Sequence, residues 1–145
     1  MCNVTLEQAD TIIATALAKA RAEAMRPLTV VVLDSGGCTV ALKRENGASI
    51  LRPQIAHGKA WGAIGMGLPS RVMHARSKEQ PLFYNALSDL AGGALVPMPG
   101  GVLVREERKG RIIGAVGISG DTGENDEICA VAGITAAGLF ADTGE

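Results

Sequence analysis

The densest chemistry in the chain lies in GAVGISGDTGENDEICA, residues 114–130. An apolar, strand-like run meets a glycine-broken turn that opens into a helix start, which is the outline of a phosphate cradle. Its own side chains contradict that use. Asp121, Glu124, Asp126 and Glu127 place four carboxylates there, and no G-K-[ST] follows. Part of this charge complements the helix, because each anion near a helix N-terminus contributes about 0.3–1 kcal/mol. Asp121 and Glu124 have the D-x-x-E spacing of a capping box, with Thr122 as a second possible cap. Asp126 and Glu127 exceed that need. Glu124 and Glu127 form an E-x-x-E pair, which i,i+3 geometry puts on one helix face. Paired carboxylates suit a hard cation, although solvated helix faces carry the same pattern. The segment therefore offers a cation site or a proton donor and acceptor, and not an anion site.

Five other candidates stand outside this segment. His57 lies one turn before Trp61, on the apolar side of a helix, where a satisfied core histidine is the plainer reading. His74, in RVMHARSK, sits among basic residues, where solvation is the plainer reading. Either histidine can ligate a haem iron, but neither has a second ligand at the spacing of a zinc site. Lys59 faces away from His57. It either snorkels to solvent or is desolvated enough to act as a base or to grip a carboxylate. The MPGG loop (98–101) lets a ligand approach the backbone, with Pro99 shaping the turn and Gly100 and Gly101 offering N–H donors. Arg44 ends a strand and joins a ligand site only if it faces a pocket. No G-x-S-x-G is present, so a serine nucleophile has no support.

These residues are positioned by elements that the spacing predicts. Thr5 and Gln8 have capping-box spacing, and apolar residues then recur at Ile12, Ile13, Ala16, Leu17, Ala20 and Ala24, up to Pro27. Strands follow at 28–34 and 38–44 around the turn SGG. A helix begins near Pro53 and runs to GLPS (67–70), a polar helix covers about 70–77, and another starts near Gln80 and runs through FYNALSDL. A glycine- and proline-rich loop (91–101) leads to a second hairpin around ERKG. The last helix is read with Ile128, Val131, Ala132, Thr135, Ala136 and Leu139 on its apolar period. The order α-β-β-α-α-α-β-β-α has no strand–helix–strand crossover, so the expectation is an α+β domain spanning 1–145, with one antiparallel sheet and flanking helices.

Composition narrows the classes. The chain has 145 residues, 47% apolar, only 3% aromatic and 19 glycines. Small residues therefore make up the apolar excess, and surfaces of that kind pack against copies of themselves, which predicts a homo-oligomer. A net charge of −1 without a basic stripe gives nucleic-acid binding no electrostatic basis. No apolar run approaches the roughly 18–20 residues of a membrane span. The polar, acidic start MCNVTLEQAD does not read as a signal peptide. Cys2, Cys38 and Cys129 have no metal spacing and read as reduced thiols. The expectation is a cytoplasmic protein with a small-molecule ligand and neither nucleic-acid nor membrane partners.

Four stretches in order, VVVLDSGGCTVALKRENGA, IAHGKAWGAIGMGLPS, ALVPMPGGVLVRE and GRIIGAVGISGDTGENDEICAVAGI, resemble the GlcG/HbpS family, which includes the C-terminal domain of PduO-type proteins. The resemblance covers nearly the whole chain. It implies a profilin-like α+β fold, assembly into oligomers and haem binding. It also implies an iron-associated E-x-x-E, which maps onto Glu124 and Glu127. The chain differs from the usual pattern at Asn46, where R-x-D-G is common, and in GDTG, where GGTG is common.

Two functions follow. One is haem or iron binding, with His57 or His74 as ligand and Met66, Met73, Phe83 and Met98 lining a porphyrin pocket. The other is a small catabolic enzyme acting on a carboxylic acid. There, Lys59 and the amides of Gly100 and Gly101 would hold the carboxylate, while Glu124 or Asp126 would shuttle a proton.

Overall fold

The computed structural model describes residues 3–145, so Cys2 lies outside the described residues. Among the described residues there are five helices and five strands. They are α1 (Leu6–Ala22), β1 (Thr29–Asp34), β2 (Thr39–Arg44), α2 (Arg52–Met66), α3 (Ser70–Glu79), α4 (Pro81–Leu90), β3 (Gly101–Arg105), β4 (Ile112–Ser119), α5 (Gly123–Ala136) and β5 (Phe140–Asp142). The strands form one antiparallel sheet in the order β2-β1-β4-β3-β5. The α+β expectation holds, with β5 as an addition: the chain after α5 adds a short edge strand beside β3, where the sequence reading continued the helix through Leu139.

Helices cover both faces of the sheet. Val30, Val32, Val102, Val104, Val116 and Ile118 point to one face and pack with Ile12, Ile13 and Ala16 of α1 and Cys129, Ala130 and Ile134 of α5. Val31, Leu33, Leu103 and Ala115 point to the other and meet Ala56, Ala60 and Ala63 of α2 and Met73 of α3. The period-2 alternation of side chains feeds two cores at once, which is why β1 reads as a continuous apolar run and not as apolar–polar alternation.

Local signals explain the element ends. The Thr5–Gln8 capping box is present, with both reciprocal bonds formed. Proline in the first turn opens α2 and α4, and Gly67 closes α2 in the left-handed conformation at φ 65°. Glycines in β3 and β4 serve contact. A Cβ at Gly117 would collide with the Ala56 carbonyl, and one at Gly101 with the Lys59 carbonyl. They let α2 lie close against β4 and β3.

α5 departs from the sequence reading in two ways. Thr122 caps it, accepting from Asn125 N at 3.2 Å, and not Asp121 with Glu124. The buried side is Asp126, Glu127, Cys129, Ala130, Gly133 and Ile134, whereas Ile128, Thr135 and Ala136 are exposed. The helix is thus turned so that two carboxylates face inward, which is possible only because cations from the opposite layer meet them.

Candidate functional site

Lys59 is 4% exposed and Asp126 1%. Lys59 Nζ donates to Ile118 O at 2.8 Å and to Asp126 Oδ2 at 3.0 Å. Asp126 Oδ1 accepts from Asp121 N at 3.0 Å. Of the two readings of Lys59, the desolvated one that grips a carboxylate holds and the snorkelling one does not: α2 and α5 lie on opposite faces of the sheet, and the Lys59 stem passes the end of β4 to join them. Gly100 makes room for it. Its φ of 122° suits glycine, and a Cβ there would stand 2.9 Å from Lys59 Nζ. Burial lowers the Lys59 pKa against the pull of Asp126, and burial raises that of Asp126 against the pull of Lys59.

A second cross-layer contact lies nearby. Arg71 of α3 grips Glu127 with Nε at 3.1 Å and with Nη2 in a second, shorter bond. Its Nη1 donates to Glu145 Oε1 at 2.6 Å. The bond to Glu127 raises the Arg71 pKa, and the fork occupies both Glu127 oxygens. Glu124 is exposed and has no ion-pair partner among the described residues. The two members of E-x-x-E are therefore in different states.

Arg71, His74, Lys78, Pro99, Glu124 and Glu127 line one groove of about 500 Å³. His74 is half-buried, and its Nδ1 lies 3.1 Å from Pro97 O. A carbonyl only accepts, so Nδ1 carries the proton in this bond, which in the neutral ring leaves the lone pair on Nε2. The solvated reading of His74 does not hold. His57 is half-buried in a different depression, with Pro53, Gln54 and the 92–94 turn.

Other expected members fall elsewhere. Gly101 N–H is not free; it donates to Ser70 Oγ at 2.7 Å. Arg44 Nη1 donates to Ala48 O at 2.9 Å, away from the groove. The four residues expected to line a porphyrin pocket do not converge: Met73 is core, Phe83 and Met98 are exposed, and Met66 lies beside Trp61 in an apolar depression. Sequence reasoning passed over Arg71 and Lys78. Their signal was available, since residues 71, 74 and 78 share a helix face at i, i+3 and i+7.

Asp121 serves the turn itself. It accepts from Arg26 N at 3.0 Å and from Asn125 Nδ2 at 2.7 Å. The Arg26 backbone N–H and the Asn125 amide hold its carboxyl well below the usual carboxylate range. Among the described residues, no group of three or more His, Cys, Asp or Glu side chains is placed to hold a metal ion, and no helix is long and apolar enough to cross a membrane.

Comparison with known proteins extends this picture. The chain is similar in fold to PduOC in a haem complex, with a TM-score of 0.85, 24% identity, and coverage of 97% of this chain and 99% of that one. It is similar to protein ORFY of Klebsiella pneumoniae, with a TM-score of 0.83, 26% identity, and 94% and 92% coverage. It is also similar to a double Glu→Asp mutant of Streptomyces reticuli HbpS, with a TM-score of 0.79, 27% identity, and 93% and 87% coverage. No curated protein matches it. The model of the HbpS-like haem degrading proteins matches residues 4–135, and with this fold and this span the chain belongs to the HbpS-like family.

Proposed function

We propose that the chain binds haem in the groove between α3 and α5, where His74 would hold the iron. The observation that carries the reading is the His74–Pro97 bond. A histidine that ligates iron characteristically donates its other ring N–H to a carbonyl or carboxylate, which fixes the tautomer and orients the ring. His74 has that arrangement in advance, and His57 makes no such bond among the described residues. The groove volume lies within the roughly 300–1,000 Å³ of small-molecule sites; Lys78 is the cation available to the ligand's carboxylates, since Arg71 is committed to Glu127 and Glu145. The family description and the PduOC haem complex support the same ligand class. Bound haem supplies a redox-active iron; the chain supplies the imidazole, the charge and the groove wall.

Haem titration tests the proposal. A shifted Soret band is expected for the wild type and for His57→Ala, and a loss of affinity for His74→Ala. An unshifted band in the wild type, or unchanged affinity in His74→Ala, refutes it. Acid–base catalysis by Lys59, Glu124 and Asp126 has less support: Lys59 and Asp126 are buried and bonded to each other, which leaves only Glu124 open to a substrate.

Assembly into a homo-oligomer belongs to the same reading. Leu82 and Leu90 of α4 are each 84% exposed and Ile50 is 88% exposed, with Phe83 and Leu51 also open. Large apolar side chains left open on α4 and in the turn before α2 are candidates for an interaction surface. Sedimentation should give a mass above the monomer, reduced by Leu82→Glu with Leu90→Glu. A monomeric wild type refutes assembly.

A further inference from the structure

Thr29 opens β1. It pairs with Arg44 of β2 on one side and with Ser119 of β4 on the other. Directly opposed residues in antiparallel strands point to the same face, so Arg44, Thr29 and Ser119 form a row across the sheet. By the period of two, it is the face of Val31 and Leu33, the one covered by α2. The start of α2 completes the row: Arg52 Nη1 donates to Ser119 Oγ at 3.0 Å. Arg44 Nη1 donates to Ala48 O in the turn before α2.

Two features of this cluster have no internal explanation. Thr29 is fully buried, and its Oγ1 is the one buried side-chain polar atom without a hydrogen-bond partner among the described residues. Buried hydroxyls are nearly always satisfied. In addition, neither Arg44 nor Arg52 is paired with a carboxylate among the described residues. The nearby Glu45 is already engaged, accepting from Leu28 N and pairing with Arg21. Two uncompensated guanidinium groups thus share one sheet end with a hydroxyl that lacks a partner. Arg44 is exposed on the edge strand, so the row runs from solvent inward to Thr29.

We propose that Thr29, Arg44, Arg52 and Ser119 form a binding site for a small oxyanion, the carboxylate or phosphate group of a metabolite. The guanidinium groups donate charge-assisted hydrogen bonds, and the Thr29 hydroxyl donates the bond it lacks in the free protein. The site shares no residue with the His74 groove and stands whether or not that groove takes haem.

Inorganic phosphate and acetate are the probes, each titrated calorimetrically and by thermal shift against sodium chloride of matched ionic strength. A saturable stabilisation by either supports the site, and the one that binds identifies the group. Arg44→Gln and Arg52→Gln should each weaken binding about tenfold, the loss of one charge-assisted bond. Thr29→Val should be as stable as the wild type or more so without the anion, and should respond less to it. A merely structural threonine would give no such split. Lys109→Gln, at the far hairpin, controls for net charge and should bind as the wild type does. No saturable response to either probe overturns the proposal, as does wild-type affinity in Arg44→Gln. Because Arg44 lies on the exposed edge, that variant keeps the test decisive if Arg52→Gln fails to fold.

Discussion

Removing one partner of the Lys59–Asp126 pair should cost far more than removing both. In Lys59→Met the carboxylate of Asp126 stays at 1% exposure and keeps only Asp121 N as a donor. Breaking a buried pair in this way costs about 3–5 kcal/mol, most of it the desolvation of the charge left behind. For a chain near 150 residues, that corresponds to a fall in Tm of about 6–20 °C. In Asp126→Asn the remaining side-chain oxygen can still accept from Asp121 N, but Lys59 is left with Ile118 O alone. The double variant Lys59→Met with Asp126→Asn buries no charge and should lie well above the sum of the single losses, with a coupling of about 3 kcal/mol.

The pH dependence sharpens the test. Burial already lowers the Lys59 pKa below its ordinary value of 10.5, and loss of Asp126 lowers it further. Between the folded pKa and 10.5 the unfolded chain binds more protons, so Asp126→Asn should gain stability as pH rises through that window. Burial shifts Asp126 the opposite way, above its ordinary value of 3.8. Between 3.8 and the folded pKa the folded chain binds more protons, so the deficit of Lys59→Met should shrink as pH falls. Urea unfolding of the four proteins across pH is the assay. Single losses under about 0.5 kcal/mol, or strict additivity, would refute the cross-layer clamp.

Two further predictions concern the same end of the molecule. Gly117→Ala drives a methyl group into the Ala56 carbonyl, and should cost about 1–3 kcal/mol in urea unfolding by pushing α2 off β4; an unchanged midpoint would show that the close approach is not required. Asp121 has a folded pKa below its ordinary value of 3.8, so its stabilisation is complete above 3.8 and is lost as pH falls below it. The Tm gap between wild type and Asp121→Asn should therefore be full at pH 6 and close progressively below pH 3.8, whereas a gap constant down to pH 2 would contradict the bonding described for the turn.

Much of the architecture was legible along the chain because its signals are local. A capping box at Thr5, proline in the first turn of α2, turn glycines and strand-length apolar runs each act within a few residues. Pro99, Glu124 and Glu127 were likewise legible as candidates, and the structure brings them into one groove with His74. What the sequence could not decide was direction. The apolar period of α5 pointed to Ile128 and Val131, yet the helix buries Asp126 and Glu127. A carboxylate reads as solvent-facing until a cation is known to meet it, and those cations, Lys59 and Arg71, are 67 and 56 residues away in sequence. The row of Thr29, Arg44, Ser119 and Arg52 was invisible for the same reason, since strand register is set across the sheet and not along the chain. Residue types and spacing determined which groups were available and which elements carry them. Packing two helical layers around the ends of β3 and β4 decided which charges neutralise each other and which remain for a ligand.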